Sequence, residues 1–232
     1  MRFVRLPGLV PYQDALELQR ELCALRGRSE LGHDVTLLLE HEETITIGRT
    51  RGSEANVLNA SSVPVVPVER GGDVTWHGPG QLVAYPILKL HDKRRDLLDH
   101  LRRLEQGVID LCADLGLVAG RDERNTGVWL PGSPSAQKVC SIGIACKRWV
   151  TLHGLALNIS NKLERFEAIH PCGFEASVMT RLADHLDHPP PVDALQPRLA
   201  RCLAAALGVD HTPIVQSPSL DPTIVAELVD AS

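Results

Sequence analysis

Between residues 70 and 81 the chain reads Arg-Gly-Gly-Asp-Val-Thr-Trp-His-Gly-Pro-Gly-Gln, twelve residues with four glycines and one proline. Arg70, Asp73, Trp76 and His77 are costly side chains to strand in a loop without a role. Glycine lets backbone reach positive φ or pass close to a ligand. Residues 63–68 before it and 82–85 after it are rich in valine and other strand formers, so each predicts a strand. The expectation is a glycine-rich loop joining two strands, with a guanidinium at one end and an imidazole in the middle. Such a loop forms the wall of a site.

The remaining pattern supplies the frame around that wall. Residues 11–28 predict an amphipathic helix with Tyr12, Ala15, Leu16, Leu22 and Cys23 on one face. Residues 35–40 and 44–48 predict a hairpin-like pair of strands, followed by a polar loop over 49–62 whose Arg49 and Arg51 face solvent. Leu97, Leu101, Leu104, Val108, Leu111 and Leu115 recur at spacings of three and four, so 96–115 predicts a helix that Gly116 stops. Strands follow from 117, over 127–130, over 138–146 with an interruption at Gly143, and over 149–159, with a turn at 131–135. Residues 169–173 predict a turn leading into an apolar helix over 177–186. The run His188-Pro-Pro-Pro191 predicts a rigid connector to a last helix ending near Leu207. The proline-bearing segment from Gly208 predicts a loosely attached tail. Strands come in consecutive runs rather than alternating with helices, which argues for a mixed, mostly antiparallel sheet with helices packed on it.

A chain of 232 residues suits one large domain. Only 3% of residues are aromatic, so the core must rest on aliphatic side chains, and Trp76, Trp129 and Trp149 are expected inside it. The net charge of −5, with no basic run, excludes nucleic acid as a partner class. The N-terminus lacks the apolar core of a signal peptide. No run approaches the ~20 apolar residues of a membrane span. The reading is a cytoplasmic protein without a membrane partner. Its cysteines, at 23, 112, 140, 146, 172 and 202, contain no Cys-x-x-Cys and are expected as free thiols.

Cys172 differs from the other cysteines. Cys23, Cys112 and Cys202 fall in helical stripes and Cys140 and Cys146 in a strand, where a thiol packs as a small hydrophobe. Cys172 lies between Pro171 and Gly173, in a turn expected just before a helix N-terminus, which favours exposure and a thiolate. A thiol of ordinary pKa, about 8.5, needs a base or a cation to act as a nucleophile near neutral pH. Lys138, His77, His153 and His170 are the candidates. His185-x-x-His188 abuts the prolines and lacks further convergent ligands, so no metal site is expected. Neither a phosphate-loop pattern nor a Gly-x-Ser-x-Gly elbow is present.

Arg70-Gly-Gly-x-Val-Thr-x-His-Gly-Pro-Gly-Gln81 resembles the signature of the lipoyl(octanoyl)transferases. Thr126-Gly-Val-Trp129, Lys138-Val-x-Ser-Ile-Gly143, His153-Gly-Leu-Ala-Leu-Asn158 and Pro171-Cys-Gly173 agree with that family in order. The likeness runs from about residue 12 to the helix near 205. It implies a single α/β domain of the biotin/lipoate-protein ligase type over 1–207, with 208–232 as a C-terminal tail. Cys172 is then the acyl-thioester nucleophile and Lys138 the residue that promotes its ionisation. The substrate pocket comprises Arg70, Gly71, Gly72, Asp73, Val74, Thr75, Trp76, His77, Ser141, Ile142, Gly143, Gly154, Leu155 and Ala156. Val74, Ile142 and Leu155 would line an eight-carbon tunnel, and backbone N–H groups near Gly173 would hold the oxyanion. The implied donor is octanoyl-acyl carrier protein. The implied acceptors are lipoyl domains of 2-oxoacid dehydrogenase E2 subunits and the glycine cleavage H protein. No cofactor or metal is implied, and the working unit is expected to be a monomer. His170 departs from the asparagine expected before Pro-Cys-Gly. Competing readings are an ATP-dependent lipoate-protein ligase and a non-catalytic lipoyl-domain binding module.

Overall fold

The computed structural model describes residues 1–60, 63–91, 95–133 and 135–231. Ser61 and Ser62 of the expected loop and Pro134 of the expected turn lie outside the described residues. The strands in chain order are β1 (Arg2–Val10), β2 (Val35–His41), β3 (Thr44–Ile47), β4 (Val65–Pro67), β5 (Val74–His77), β6 (Gln81–Ile87), β7 (Gly120–Asp122), β8 (Asn125–Leu130), β9 (Gln137–Lys147), β10 (Val150–Asn158) and β11 (Ile214–Gln216). The helices are α1 (Tyr12–Arg28), α2 (Leu97–Asp114), α3 (Val192–Leu207) and α4 (Pro222–Ala231). Asp96 caps α2, accepting the N–H groups of Leu98 and Asp99 at 2.9 and 3.0 Å.

Eight strands form one sheet in the order β11-β1-β2-β6-β10-β9-β8-β7, and β4-β3-β5 form a small second sheet. In the large sheet β1 is parallel to both β11 and β2, and the other neighbours are antiparallel. Period-two alternation sorts its side chains between two cores. Phe3, Leu38, Leu82 and Ala84 pack with α2 and α3, whereas Val4, Leu37, Leu39, Val83 and Tyr85 pack with α1 and α4. A sheet covered on both faces explains why residues 35–39 are apolar or threonine and all buried. A third cluster, around Ile45, Trp76, Phe166 and Met179, joins the small sheet to the turns after β10.

The architecture matches the expected mixed sheet flanked by helices, with several local corrections. Strands β2 and β3 do not form a hairpin. Both edges of β2 are taken, by β1 and β6, and β3 pairs in the small sheet. The glycine-rich stretch is not only a loop, because residues 74–77 are strand β5, antiparallel to β3. Strand β9 runs unbroken through Gly143, which sits opposite Gly154 of β10. The expected helix over 177–186 is replaced by isolated 3-10 turns, Ala176–Val178 and Leu182–Asp184. Here the backbone is stitched to β9 instead: Met179 bridges to Lys138, and Thr180 N–H donates to Lys138 C=O at 2.9 Å. Trp149 is 39% exposed rather than core. It shares with Arg148 the β9–β10 hairpin turn, both at positive φ (53° and 62°).

The segment after Gly208 is not loosely attached. Strand β11 covers the free edge of β1 in register Phe3↔Ile214, and α4 buries Val225 and Val229 against α1's side of the sheet. Strand β1 itself carries no clean alternation, because Pro7 and Gly8 accompany a register shift between Arg5 and Leu9.

Candidate active site

Cys172 occupies a single 3-10 turn, Pro171–Gly173, with left-handed backbone angles φ 56° and ψ 30°. A non-glycine residue held there costs about 1–3 kcal/mol, and such strain concentrates at functional sites. The turn is tied at both ends. His170 N–H donates to Asn56 O at 2.8 Å, Gly173 N–H to His170 O at 3.0 Å, and Phe174 N–H to Pro171 O at 3.1 Å. Two expectations fail here. No α-helix begins after Cys172, so no helix N-terminus supports a thiolate. The N–H groups of Gly173 and Phe174 are consumed inside the turn and are not offered to an oxyanion. The ring of His170, the departure from the family pattern, lies 4.0 Å from Glu175.

Lys138, on β9, is only 3% exposed. Its Nζ points at Cys172 Sγ, 3.9 Å away, and donates to Asn125 Oδ1. Burial pushes the Lys138 pKa below the ordinary lysine value, while negative charge on Cys172 works in the opposite direction. A buried ammonium is costly unless it faces an anion, so the geometry couples the charge of the lysine to that of the sulfur.

Strand β8 lies directly against this lysine. A Cβ added at Gly127 (φ 139°) would stand 2.4 Å from Cys140 O and 2.6 Å from Lys138 Cε. Glu105, buried on α2, holds the same strand: Oε1 accepts Gly127 N–H at 3.0 Å, and Oε2 accepts from Arg102 and Arg121 at 2.8 Å. Gly127→Ala is therefore expected to destabilise the fold by about 2–4 kcal/mol. It should also slow chemistry at Cys172 more than about tenfold by displacing Lys138. Thermal denaturation and thiol alkylation rates measure the two effects separately.

Cys172 and Lys138 line a cavity of about 180 Å³, smaller than the ~300–1,000 Å³ of common ligand pockets and suited to a slim ligand. Two of the expected wall segments are paired rung by rung: Ser141, Ile142 and Gly143 of β9 lie opposite Ala156, Leu155 and Gly154 of β10. Arg70, Gly71, Gly72, Asp73, Val74, Thr75 and His77 supply the facing wall. Arg70 crosses bare backbone at Gly143, where an added Cβ would meet Arg70 Cδ at 3.1 Å. Its guanidinium donates to Thr46 O and Oγ1 at 3.1 and 2.9 Å and to Gly71 O at 3.1 Å. Trp76 does not line the cavity. It points to the opposite face of β5 from Thr75 and His77 and packs against Phe166, ring centroids 5.5 Å apart.

Tyr12, Tyr85, Leu101, Asn125, Thr126, Ile144 and His153 also line the cavity and were not assigned to it from the sequence. Thr126 and His153 stand inside recognised motifs, and Ile144 is the next rung of β9. Tyr12 and Leu101 fit helical stripes, which concealed a second role, and nothing local marks Tyr85 or Asn125. Tyr12, Tyr85, His77 and His41 form a buried ring cluster, with centroids 4.9 to 5.8 Å apart. His77 Nδ1 donates to Gln81 Oε1 at 2.9 Å, and Gln81 Nε2 donates to Asn158 Oδ1 at 2.9 Å. His153 Nε2 lies 3.6 Å from Glu69, too long for a hydrogen bond.

Burial keeps these imidazoles neutral. It lowers His41, His100 and His153 to about 4 and His77 well below the ordinary value. The unfolded chain, with histidines near 6.5, binds protons first as the pH falls. Stability is therefore fully present above about pH 6.5 and declines toward pH 4, by on the order of 2–3 kcal/mol per histidine shifted to about 4. Urea midpoints at pH 7 and pH 5 check this; identical midpoints contradict it.

Among the described residues, no group of three or more His, Cys, Asp or Glu side chains is placed to hold a metal ion. His185 Nε2 instead pairs with Thr180 Oγ1 at 2.8 Å. No described helix is long and apolar enough to cross a membrane.

The pattern of the family described as "Lipoyl protein ligase A/B catalytic domain" matches residues 11–204. The chain is 46% identical over 204 residues to the octanoyltransferase of Mycobacterium tuberculosis, covering 88% of this chain and 86% of that protein. It is 40% identical over 220 residues to the octanoyltransferase of Bacteroides thetaiotaomicron, covering 90% and 96%. The chain belongs to the lipoyl protein ligase A/B catalytic-domain family. The family span opens at α1 and closes inside α3, enclosing every cavity-lining residue. Solved structures extend the likeness in fold alone. A bipartite lipoate protein ligase from Thermoplasma acidophilum superposes with a TM-score of 0.73 at 18% identity, over 99% of this chain and 92% of that one. A lipoate-protein ligase A bound with ATP gives 0.72 at 18% identity, over 99% and 95%.

Proposed function

We propose that this chain is an octanoyltransferase that moves an octanoyl group from an acyl thioester, through Cys172, to a lysine amine on a lipoyl domain. The observation that carries the reading is the strained cysteine facing a buried lysine at 3.9 Å on the wall of a narrow, mostly apolar-lined cavity. The octanoyltransferases among its relatives support the acyl group.

In the first half-reaction the Cys172 thiolate adds to the donor thioester carbonyl, and Lys138 ammonium lies beside the developing negative charge. The bond to the donor sulfur breaks, and the leaving thiolate takes a proton from Lys138. Cys172 then carries the octanoyl group and Lys138 is neutral. In the second half the acceptor amine adds to the new thioester and its surplus proton passes to Lys138. The bond to Sγ breaks, an amide is released, and the thiolate–ammonium pair returns. Burial is what makes neutral Lys138 accessible between the halves.

The donor in this reading is octanoyl-acyl carrier protein, and the acceptors are lipoyl domains of 2-oxoacid dehydrogenase E2 subunits and the glycine cleavage H protein. In this reading the protein acts as a monomer in the cytoplasm. Residues 1–207 are the acyltransferase domain and 208–232 a C-terminal tail docked on its sheet. The ATP-bound neighbour keeps an ATP-dependent ligase in view through its fold, but a ligase that activates free acid gives no work to Cys172. Incubation of purified protein with octanoyl-acyl carrier protein, without ATP, should add one octanoyl group to Cys172 by intact mass and peptide mapping. Modification of a lipoyl domain only when ATP and free octanoate are supplied would favour the ligase.

A further inference from the structure

Lys138 Nζ presents three N–H donors when charged and two when neutral. Besides Cys172 Sγ, its hydrogen-bond partner is Asn125 Oδ1. Asn125 opens β8, where its backbone carbonyl accepts Trp129 Nε1 at 3.1 Å. The Trp129 ring in turn faces Nζ, 5.6 Å from its centroid. Glu105 clamps the same strand two residues later through Gly127 N–H. The backbone that carries the amide is therefore anchored by its own strand, independently of Lys138.

We propose that Asn125 is a positioning residue for proton transfer: it holds one N–H of Lys138 in both protonation states and directs the exchanged proton toward Cys172. The inference rests on the acyl-transfer reading of the Cys172–Lys138 pair. A carbonyl oxygen can only accept, so one N–H stays committed to Asn125 whether the nitrogen is charged or neutral. The proton that leaves in the first half-reaction and returns in the second then resides on the side facing sulfur. A neutral acceptor anchors the nitrogen without adding charge. A carboxylate in its place would hold the ammonium in its charged form, and an aliphatic side chain would let burial strip the proton and let the amine swing.

Asn125→Asp and Asn125→Ala separate these consequences, with acyl-enzyme formation and acyl transfer followed by rapid quench across pH 6–10. Asn125→Asp should form acyl-enzyme within about threefold of the parent. Its transfer to a lipoyl-domain lysine should slow by about tenfold or more, and the rise of that rate with pH should move upward by about one unit or more, as a nearby opposite charge requires. Asn125→Ala should cut iodoacetamide alkylation of Cys172 at pH 7 by about tenfold, the scale of one lost hydrogen bond to a charged group. Either variant alone decides the matter if the other does not fold. A fall in rate with parental pH profiles in both measurements means a purely structural residue and overturns the proposal. Alkylation needs no acyl donor, so failure of the parent to accept octanoate would discard the acyl-transfer reading while this coupling was still being measured.

Discussion

Replacing Cys172 with alanine is expected to abolish octanoyl transfer, with a loss of at least about 10⁴-fold and no octanoyl adduct on the protein. Removing the nucleophile of a covalent mechanism leaves only substrate positioning, because no other thiol is placed to substitute. Cys23, Cys112, Cys140 and Cys202 are buried, and burial raises their pKa values, to about 11 for Cys23 and Cys202, to about 12 for Cys112 and well above the ordinary thiol value for Cys140, so their thiolates are inaccessible near neutral pH. Cys146 is partly exposed but stands beyond Ile144 on β9, away from Lys138. The fold should survive. Alanine meets the same left-handed backbone cost as cysteine at φ 56°, and the bonds that tie the turn, from the N–H groups of His170, Gly173 and Phe174, run between backbone atoms. Thermal midpoints within a few degrees of the parent, with mass spectra free of adduct, are the expected pair of results. An octanoyl group retained on the alanine variant would sink the assignment.

Lys138→Ala should cost about 10²- to 10⁴-fold in turnover, the range of one lost general acid–base group, and it should affect both half-reactions. Acylation loses the ammonium that faces the sulfur and protonates the leaving thiolate. Transfer loses the base. Because burial lowers the Lys138 pKa, raising the pH should convert it to its neutral form before an ordinary lysine at about 10.4 titrates. In the parent, transfer should therefore accelerate with pH below that value, while acylation, which needs the ammonium, should slow. The alanine variant should lack both limbs, and iodoacetamide should alkylate its Cys172 more slowly at pH 7. Lys138→Met, of similar volume, controls for the space left against Trp129 and Asn125. Parental pH profiles and alkylation rates in both variants would remove Lys138 from the mechanism.

Much of this site was legible in the chain because its parts are local. Glycine-rich backbone, the Pro-Cys-Gly turn and the lysine opening a strand are short-range signals, and the structure brings Arg70, Lys138, Ser141, Gly154 and Cys172 to one cavity. Trp76 was misplaced because residues 74–77 form a strand, whose alternation turns the Trp76 ring away from the side of Thr75 and His77 and into the third core against Phe166. Asn125 and Tyr85 were missed because their roles exist only through partners distant in sequence: Asn125 through Lys138, and Tyr85 through His41 at 2.7 Å. The helix expected over 177–186 failed for the same reason. Its apolar residues are divided between two cores, Val178 and Met179 in the third and Leu182 and Leu186 in the one with α2 and α3, and the pairing of Met179 with β9 overrode local propensity.

The resemblance carried by its motifs named the family and selected Lys138 from among the candidate partners of Cys172, whereas the residues by themselves determined the helices α1, α2 and α3, the strand-rich middle and the setting of Cys172 in a turn. These follow from periodicity, turn chemistry and side-chain reactivity, each contained within a few residues. Only the tertiary structure decided that the glycine-rich wall is partly a strand of a second sheet, and that the segment after Gly208 completes the large sheet's edge. It also decided that Cys172 is presented by a strained turn instead of a helix, and that Lys138 Nζ donates to Asn125 Oδ1. Each of those depends on which distant backbone edge or buried polar atom remains unpaired once the sheet has closed, and no local stretch of sequence contains that information.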